Sequence, residues 1–155
     1  MRVNGLLEAF PGLDVYLPHA GGTFPWLIGR FDYAIGNSPS LSHMKKPASA
    51  YLGGFFYDVI LFNAQIMRNL IDLVGVDRVV MGTDYPQGMA VKQPVDFVES
   101  VPGLSLRERE MILSANAQRL LLSHSNWTGI RRRSELHEKV VCRAPRCSHR
   151  ARCVR

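Results

Sequence analysis

Two side chains suited to proton transfer and metal binding follow two short apolar runs of the chain. His19 follows the run at residues 13–18, and Asp84 follows the run at residues 78–81. Histidine exchanges a proton near neutral pH, and a carboxylate can hold a divalent metal and orient the water that the metal activates. Reactive groups collect at the carboxyl ends of parallel strands. We therefore expect His19 and Asp84 to lie side by side at one edge of a sheet.

Two further residues are candidates for supporting roles. Asp58 lies near the end of the apolar run at residues 51–60. It could either orient a metal ligand through a hydrogen bond or simply cap a turn. Arg30 carries a planar guanidinium that suits bidentate binding of a substrate carboxylate. The alternative for Arg30 is a structural cation that complements the dipole at the end of a helix.

Apolar periodicity predicts the elements that position these residues. Thr23 is the candidate N-cap of the first helix, with Pro25 in its first turn, and Gly75 is a suitable stop for the second. Ser105 and Glu108 have the spacing of a capping box. The predicted strands lie at residues 13–18, 51–60 and 78–81, and the predicted helices at 23–35, 63–74, 94–100 and 105–122.

The alternation of strands and helices predicts an α/β fold with a parallel sheet. Three strands are few for a sheet of this kind, because its edges and faces would stay exposed. The sequence therefore predicts part of a larger domain.

Charge and cysteine are concentrated in the last thirty residues. Residues 1–125 carry ten Lys/Arg and eleven Asp/Glu, whereas residues 126–155 carry nine and two. The spacing of Cys142, Cys147 and Cys153 lacks the paired gaps of a zinc site. We predict a domain over residues 1–124 and a disordered basic tail over 125–155. Nucleic acid is not an expected partner, apart from weak, salt-sensitive binding by the tail.

No apolar run has the length of a signal peptide core or a membrane span. The sequence therefore predicts a cytoplasmic protein with no membrane partner.

Several motifs, in order, resemble the amidohydrolase-related superfamily. They are Phe10-Pro-Gly-Leu, His19-Ala-Gly-Gly-Thr-Phe-Pro-Trp-Leu-Ile-Gly-Arg30, Gly82-Thr-Asp84-Tyr-Pro86 and Ser114-Ala-Asn-Ala-Gln-Arg-Leu-Leu. The chain is most similar to the branch of metal-dependent decarboxylases typified by aminocarboxymuconate-semialdehyde decarboxylase. One difference is Ala20, where the family pattern usually has a first glycine.

This resemblance implies the last three βα units of a (β/α)8 barrel, of the TIM type. It implies that His19 acts in proton transfer, that Asp84 is a zinc ligand, and that Arg30 reaches a neighbouring subunit's site in a homodimer and holds a substrate carboxylate. The implied reaction is non-oxidative loss of CO₂ from a small carboxylated aromatic or muconate-type substrate. Zinc-bound water and His19 would assist protonation of the carbon that loses its carboxylate.

The remaining metal ligands of the family are missing. The family supplies a His-x-His pair and another histidine, whereas the other histidines here are His43, His124, His137 and His149, none of which follows a predicted strand. The resemblance therefore implies a chain that is incomplete as an isolated enzyme. Two alternatives stay open: a hydrolase of the same superfamily that acts on a lactone or amide, and a non-catalytic fragment that pairs with full-length subunits.

Overall fold

A computed structural model describes Leu7, Phe10 and residues 12–122 of the chain. The predicted basic tail lies outside the described residues. The described helices and strands, in chain order, are β1 (Val15–Leu17), α1 (Ile28–Asn37), β2 (Phe55–Asp58), α2 (Ala64–Val74), β3 (Val79–Val80), α3 (Pro94–Ser100), α4 (Leu106–Glu110), a π-helical turn (Met111–Ala115) and α5 (Asn116–Leu122).

The three strands form one parallel sheet in the order β1-β2-β3. Tyr16 pairs with Phe56, and Asp58 pairs with Val80, so the carboxyl ends of the strands lie at the same edge. All four residues of β2 are buried, as expected for the central strand of a sheet covered by helical crossovers. The predicted α/β architecture with a parallel sheet is therefore confirmed, although each strand is shorter than predicted.

One face of the sheet carries the main core. Because side chains alternate along a strand, Phe55 and Tyr57 point to the same face, where apolar residues of the helices cover them. Helix α2 begins after Asn63, whose side chain accepts a bond from the Ile66 N–H, and ends at Gly75. Members of this core from outside β2 include Met67, Leu70, Ile71, Val79, Val98 and Ile112.

The opposite face of the sheet carries Tyr16, Phe56 and Asp58. At the amino end of the strands, the guanidinium groups of Arg78 and Arg119 lie 5.4 and 5.9 Å from the centre of the Phe56 ring. At the carboxyl end, the Asp58 side chain is fully buried. This face therefore has an end covered by cations and an end built around a carboxyl group.

The predicted start of the first helix is wrong. Thr23 is not an N-cap, because residues 22–27 form a series of turns and the cap position of α1 is Leu27. Pro25 is buried against Gly21 instead of occupying the first turn of a helix. Arg30 consequently lies in the first turn of α1, where a cation opposes the helix dipole. The predicted alternative for Arg30, a cation that complements the helix dipole, is therefore wrong, because Arg30 lies at the amino end of the helix.

The C-terminal helical segment follows the prediction more closely. Ser105 and Glu108 form both hydrogen bonds of the predicted capping box. A π-helical turn at Met111–Ala115 interrupts the α-helix, and within it the Ile112 carbonyl accepts a bond from the Met81 N–H at 2.9 Å. This contact ties the segment to the residue that follows β3.

Candidate active site

His19 and Asp84 lie together at the carboxyl edge of the sheet. Nε2 of His19 is 3.7 Å from Oδ2 of Asp84, and the two side chains are 60% and 32% exposed. The pair is therefore open to solvent and to a ligand. Both residues have left-handed backbone conformations, with φ of 53° and 61°. Left-handed φ at residues other than glycine is costly, and it persists where the surrounding structure holds it, often at functional sites.

A run of four left-handed residues makes the turn that presents His19. After His19 come Ala20 at φ 52°, Gly21 at 79° and Gly22 at 58°. A Cβ atom at position 21 would lie 2.9 Å from the Tyr57 ring, so glycine is required there for space as well as for conformation. The first glycine of the His-Ala-Gly-Gly motif therefore allows the turn to sit directly on the core.

The buried carboxyl group of Asp58 accepts four hydrogen bonds at this edge. Its Oδ2 accepts from the Tyr16 hydroxyl at 2.7 Å and from the His19 N–H at 2.9 Å. Its Oδ1 accepts from the Ala20 N–H at 2.8 Å and the Ile60 N–H at 3.0 Å. We call Asp58 and these four donor residues the Asp58 cluster. These bonds place Asp58 in the capping role, one of its two predicted alternatives, and they explain how the strained turn is held. Support of a metal ligand by Asp58 stays a prediction.

The sequence prediction missed Tyr16 altogether. Its hydroxyl group donates to Asp58, and burial raises the pKa of the Tyr16 phenol far above its ordinary value, with the hydrogen bond and the charge of Asp58 adding to the effect. The phenol is therefore neutral and remains a donor across the physiological range. The signal that could have identified Tyr16 is a tyrosine hydroxyl within a predicted apolar strand, two residues before the predicted end of that strand at residue 18.

Asp84 is held by its own loop. The Asp84 carbonyl accepts from the Gln87 N–H at 2.8 Å, and the Thr83 carbonyl accepts from the Val91 N–H at 2.8 Å. Gly82 connects this loop to the Asp58 cluster, because a Cβ atom there would lie 3.0 Å from Cβ of Asp58. The two turns that carry His19 and Asp84 are thus built against the same buried side chain, that of Asp58.

Arg30 is not brought into contact with the other candidate residues. It is exposed in the first turn of α1, and within the described residues no hydrogen bond or ion pair joins it to His19 or Asp84. An arrangement of this kind leaves the guanidinium free to face another molecule.

The described residues do not complete a metal site. Catalytic zinc takes three protein ligands, whereas no group of three or more His, Cys, Asp or Glu side chains converges within the described part of the chain. Asp84, with His19 next to it, supplies at most two donors. What the pair can do by itself is exchange a proton at an exposed imidazole beside a carboxyl group.

Comparison with known proteins decides the family. The model of the amidohydrolase family matches residues 1–122, which is more than half of the chain. The chain belongs to the amidohydrolase family. The family predicted from the sequence motifs is therefore confirmed.

Relatives of this amidohydrolase chain are decarboxylases. It is 31% identical over 123 residues to the 2-amino-3-carboxymuconate-6-semialdehyde decarboxylase of Dictyostelium discoideum, and 31% identical over 121 residues to that of Caenorhabditis elegans. These alignments cover 78% and 77% of this chain but 34% and 30% of the relatives. The chain thus spans about a third of the length of the curated relatives that it matches.

A solved relative shows the same fold. The structure of a dihydroxybenzoic acid decarboxylase from Polaromonas sp. JS666, with bound manganese and the inhibitor 2-nitroresorcinol, matches with a TM-score of 0.67 and 25% identity. The match covers 81% of this chain and 39% of that protein. A divalent metal therefore occurs in this family, and the manganese in that relative leaves the predicted zinc open. Within the part of our chain that the structure describes, no helix combines the length and apolar character needed to cross a bilayer.

Proposed function

We propose that this amidohydrolase chain carries part of the active site of a metal-dependent, non-oxidative decarboxylase. The observation that carries the proposal is the pair of His19 and Asp84 in left-handed turns at one edge of the sheet, 3.7 Å apart. The names of the relatives support the reaction class. The substrate class that we propose is a small carboxylated aromatic or muconate-type acid.

In the proposed reaction His19 is the proton donor. A proton from the His19 imidazolium adds to the substrate carbon that bears the carboxylate. The bond from that carbon to the carboxylate then breaks, its electron pair restores the unsaturated system, and CO₂ leaves. The imidazole regains its proton from solvent, to which the side chain is 60% exposed. General acid catalysis of this kind contributes roughly 10²- to 10⁴-fold to a rate.

The proposed metal ligand on this chain is Asp84, and the proposed metal is zinc. The missing ligands must come from protein outside the described residues, since those residues supply too few donors. When bound, the metal would polarise a substrate oxygen or a water molecule. The predicted placement of the chain, as the last three βα units of a (β/α)8 barrel, is part of this proposal and is consistent with its coverage of about a third of each relative.

The proposed role of Arg30 is to bind a substrate carboxylate in the site of a second subunit. Support comes from α1, none of whose ten residues is buried in the described structure. Exposed apolar side chains lie on and just before this helix, including Trp26, Phe31 and Tyr33. A homodimer, or a pair with a full-length subunit, would cover them and bring Arg30 to the partner. We likewise keep the cytoplasmic location as a prediction.

The decisive experiment supplies the missing ligands. Residues 1–122 would replace the aligned segment of the Dictyostelium relative, and the chimera would be assayed for CO₂ release from 2-amino-3-carboxymuconate-6-semialdehyde with zinc or manganese. We expect an active chimera that loses roughly 10²- to 10⁴-fold activity in His19→Asn. The control variant is His43→Asn, in an exposed loop, and it should keep its activity. A folded chimera without activity, or with lactone or amide hydrolysis instead, contradicts the proposal.

The full 155-residue chain would be tested in parallel. We expect substoichiometric zinc by elemental analysis and no CO₂ release from the chain alone, because the described residues do not complete a metal site. Sedimentation of the chain, alone and with the Dictyostelium relative, would test the proposed pairing. Stoichiometric metal in the isolated chain would contradict the proposal of an incomplete site.

A further inference from the structure

We propose that the Tyr16 hydroxyl and the Asp58 carboxyl form a positioning pair that aims His19 at Asp84 through the main chain of His19 and Ala20. Only the consequence for catalysis rests on the proposed function. Tyr16 is a positioning residue in this proposal, because its hydroxyl bonds to Asp58 and not to a reacting group.

The geometry shows that the pair acts on the backbone of His19. Oδ2 of Asp58 accepts both the Tyr16 hydroxyl and the His19 N–H, and Oδ1 accepts the N–H of the next residue, Ala20. These two consecutive N–H groups belong to residues in the left-handed region. Two N–H groups bound to one carboxyl group set the direction in which the His19 side chain leaves the backbone. The imidazole itself is left free to face Asp84 at 3.7 Å.

Tyr16 holds the carboxyl group in the rotation that this requires. The terminal torsion of an aspartate side chain is broad, so hydrogen bonds must select its angle. Two hydrogen bonds fix this angle: the Tyr16 hydroxyl on β1 donates to Oδ2 at 2.7 Å, and the Ile60 N–H, just after β2, donates to Oδ1 at 3.0 Å. Gly82 closes the third side, since a Cβ atom there would meet Cβ of Asp58 at 3.0 Å. One constraint thus comes from β1, and the other two come from residues just after β2 and β3.

The exposed part of Tyr16 makes this proposal testable without disturbing the core. Tyr16 is 43% exposed, and its substitution by phenylalanine deletes only the hydroxyl group. The matched control is Tyr33→Phe, because Tyr33 is 73% exposed on α1 and lies outside the Asp58 cluster. Any effect that Tyr16→Phe has and Tyr33→Phe lacks belongs to the bond with Asp58.

The experiment measures hydrogen exchange of assigned backbone amides by NMR in the full 155-residue chain. In Tyr16→Phe we expect exchange at His19 and Ala20 to rise by roughly 10-fold, the effect of losing about one hydrogen bond to a carboxyl group. Amides in the core, such as those of Met67 and Val79, should rise by a smaller factor that matches the global loss of stability, and every amide in Tyr33→Phe should change less than about 2-fold. Unchanged exchange at His19 and Ala20, or an equal rise in the core, overturns the proposal.

A second variant covers the other partner. Asp58→Asn keeps the shape but places an NH₂ group against one pair of donors, so we expect a larger local rise at His19 or Ala20 than in Tyr16→Phe. In the active chimera, Tyr16→Phe should lower kcat several-fold with KM unchanged. If the chimera is inactive but the exchange pattern holds, the decarboxylase proposal fails and the positioning pair stands. If kcat is unchanged in an active chimera, the positioning proposal fails alone.

Discussion

The described residues bury two polar side chains, Asp58 and Asn116, at opposite ends of the sheet. Asp58 lies at the carboxyl edge, where it accepts four hydrogen bonds. Asn116 lies at the amino end of β3, where its side-chain amide donates to the carbonyls of Val76 and Val79, each at 2.8 Å. Both satisfy buried backbone groups, as burial demands.

Asp58 and Asn116 differ in the role of the backbone segment to which each is hydrogen-bonded. The groups bound by Asn116 belong to the turn before β3 and to the start of that strand, and they join the sheet to α5. The groups bound by Asp58 belong to a turn with left-handed His19 and Ala20. The buried Asn116 at the amino end therefore fixes the packing of a helix on the sheet. The buried Asp58 at the carboxyl end holds a strained turn next to a candidate catalytic group. The four predictions that follow run from the largest effect to the smallest. The first three test this contrast, and the last tests the capping box of α4.

Asp58→Ala should have the largest effect. It leaves the hydroxyl and the three N–H groups of the Asp58 cluster without their acceptor, and unsatisfied buried donors are costly. We expect the free energy of unfolding to fall by roughly 3–5 kcal/mol, measured by urea denaturation followed by circular dichroism. A loss below about 1 kcal/mol would contradict the view that this cluster holds the edge together.

Gly21→Ala should destabilise strongly, because the new methyl group meets the Tyr57 ring at 2.9 Å and Pro25 Cδ at 3.1 Å in a left-handed conformation. We expect a loss of roughly 2–4 kcal/mol. The control is Gly22→Ala, which also has a positive φ, with φ 58° and ψ −127°, but has nothing within 4 Å of the new atom. We expect a smaller loss of roughly 1–2 kcal/mol there, from conformation alone. Equal losses in the two variants would show that conformation, and not contact with the core, dominates.

Asn116→Ala should cost roughly 1–3 kcal/mol, because the buried Val79 carbonyl and the partly buried Val76 carbonyl lose their donor. The contrast with the carboxyl edge requires that this loss leave the left-handed turn intact. Hydrogen exchange at the His19 amide should therefore rise only in proportion to the global loss of stability. A selective rise at His19 would remove the distinction between the two ends of the sheet.

Glu108→Gln should have the smallest effect, a small loss of stability near neutral pH that disappears at acid pH. Hydrogen bonds from the Ser105 side chain and N–H lower the pKa of Glu108. A lowered pKa means that the ionised form adds stability above the ordinary value of about 4.3, and that this stability is lost as the pH falls through the folded value. Glutamine keeps the capping box without titrating. The free energy of unfolding of the variant, measured by urea denaturation at each pH, should therefore fall less than that of the parent between about pH 5 and pH 3.

The local signals in the sequence were sufficient for several elements. Gly75 ends α2 as predicted, Asn63 is the N-cap of α2 where the sequence predicted its first residue, and the predicted capping box of Ser105 and Glu108 is present. These features depend on contacts between residues a few positions apart, so the chain order contains them. The start of α1 was predicted wrongly at Thr23, because burial of Pro25 against Gly21 holds residues 22–27 in turns.

The candidate site divides in the same way. Residue types and motif order alone indicated His19, Asp84, Arg30 and Asp58 and placed the chain in its family. The sequence could not show that Tyr16 reaches Asp58, 42 positions away, nor that one carboxyl group binds two strand ends. Strand register and the alternation of side chains bring those groups together, and both arise only when the sheet forms. Motifs therefore determined which residues could do chemistry, and the tertiary structure decided how the backbone aims them.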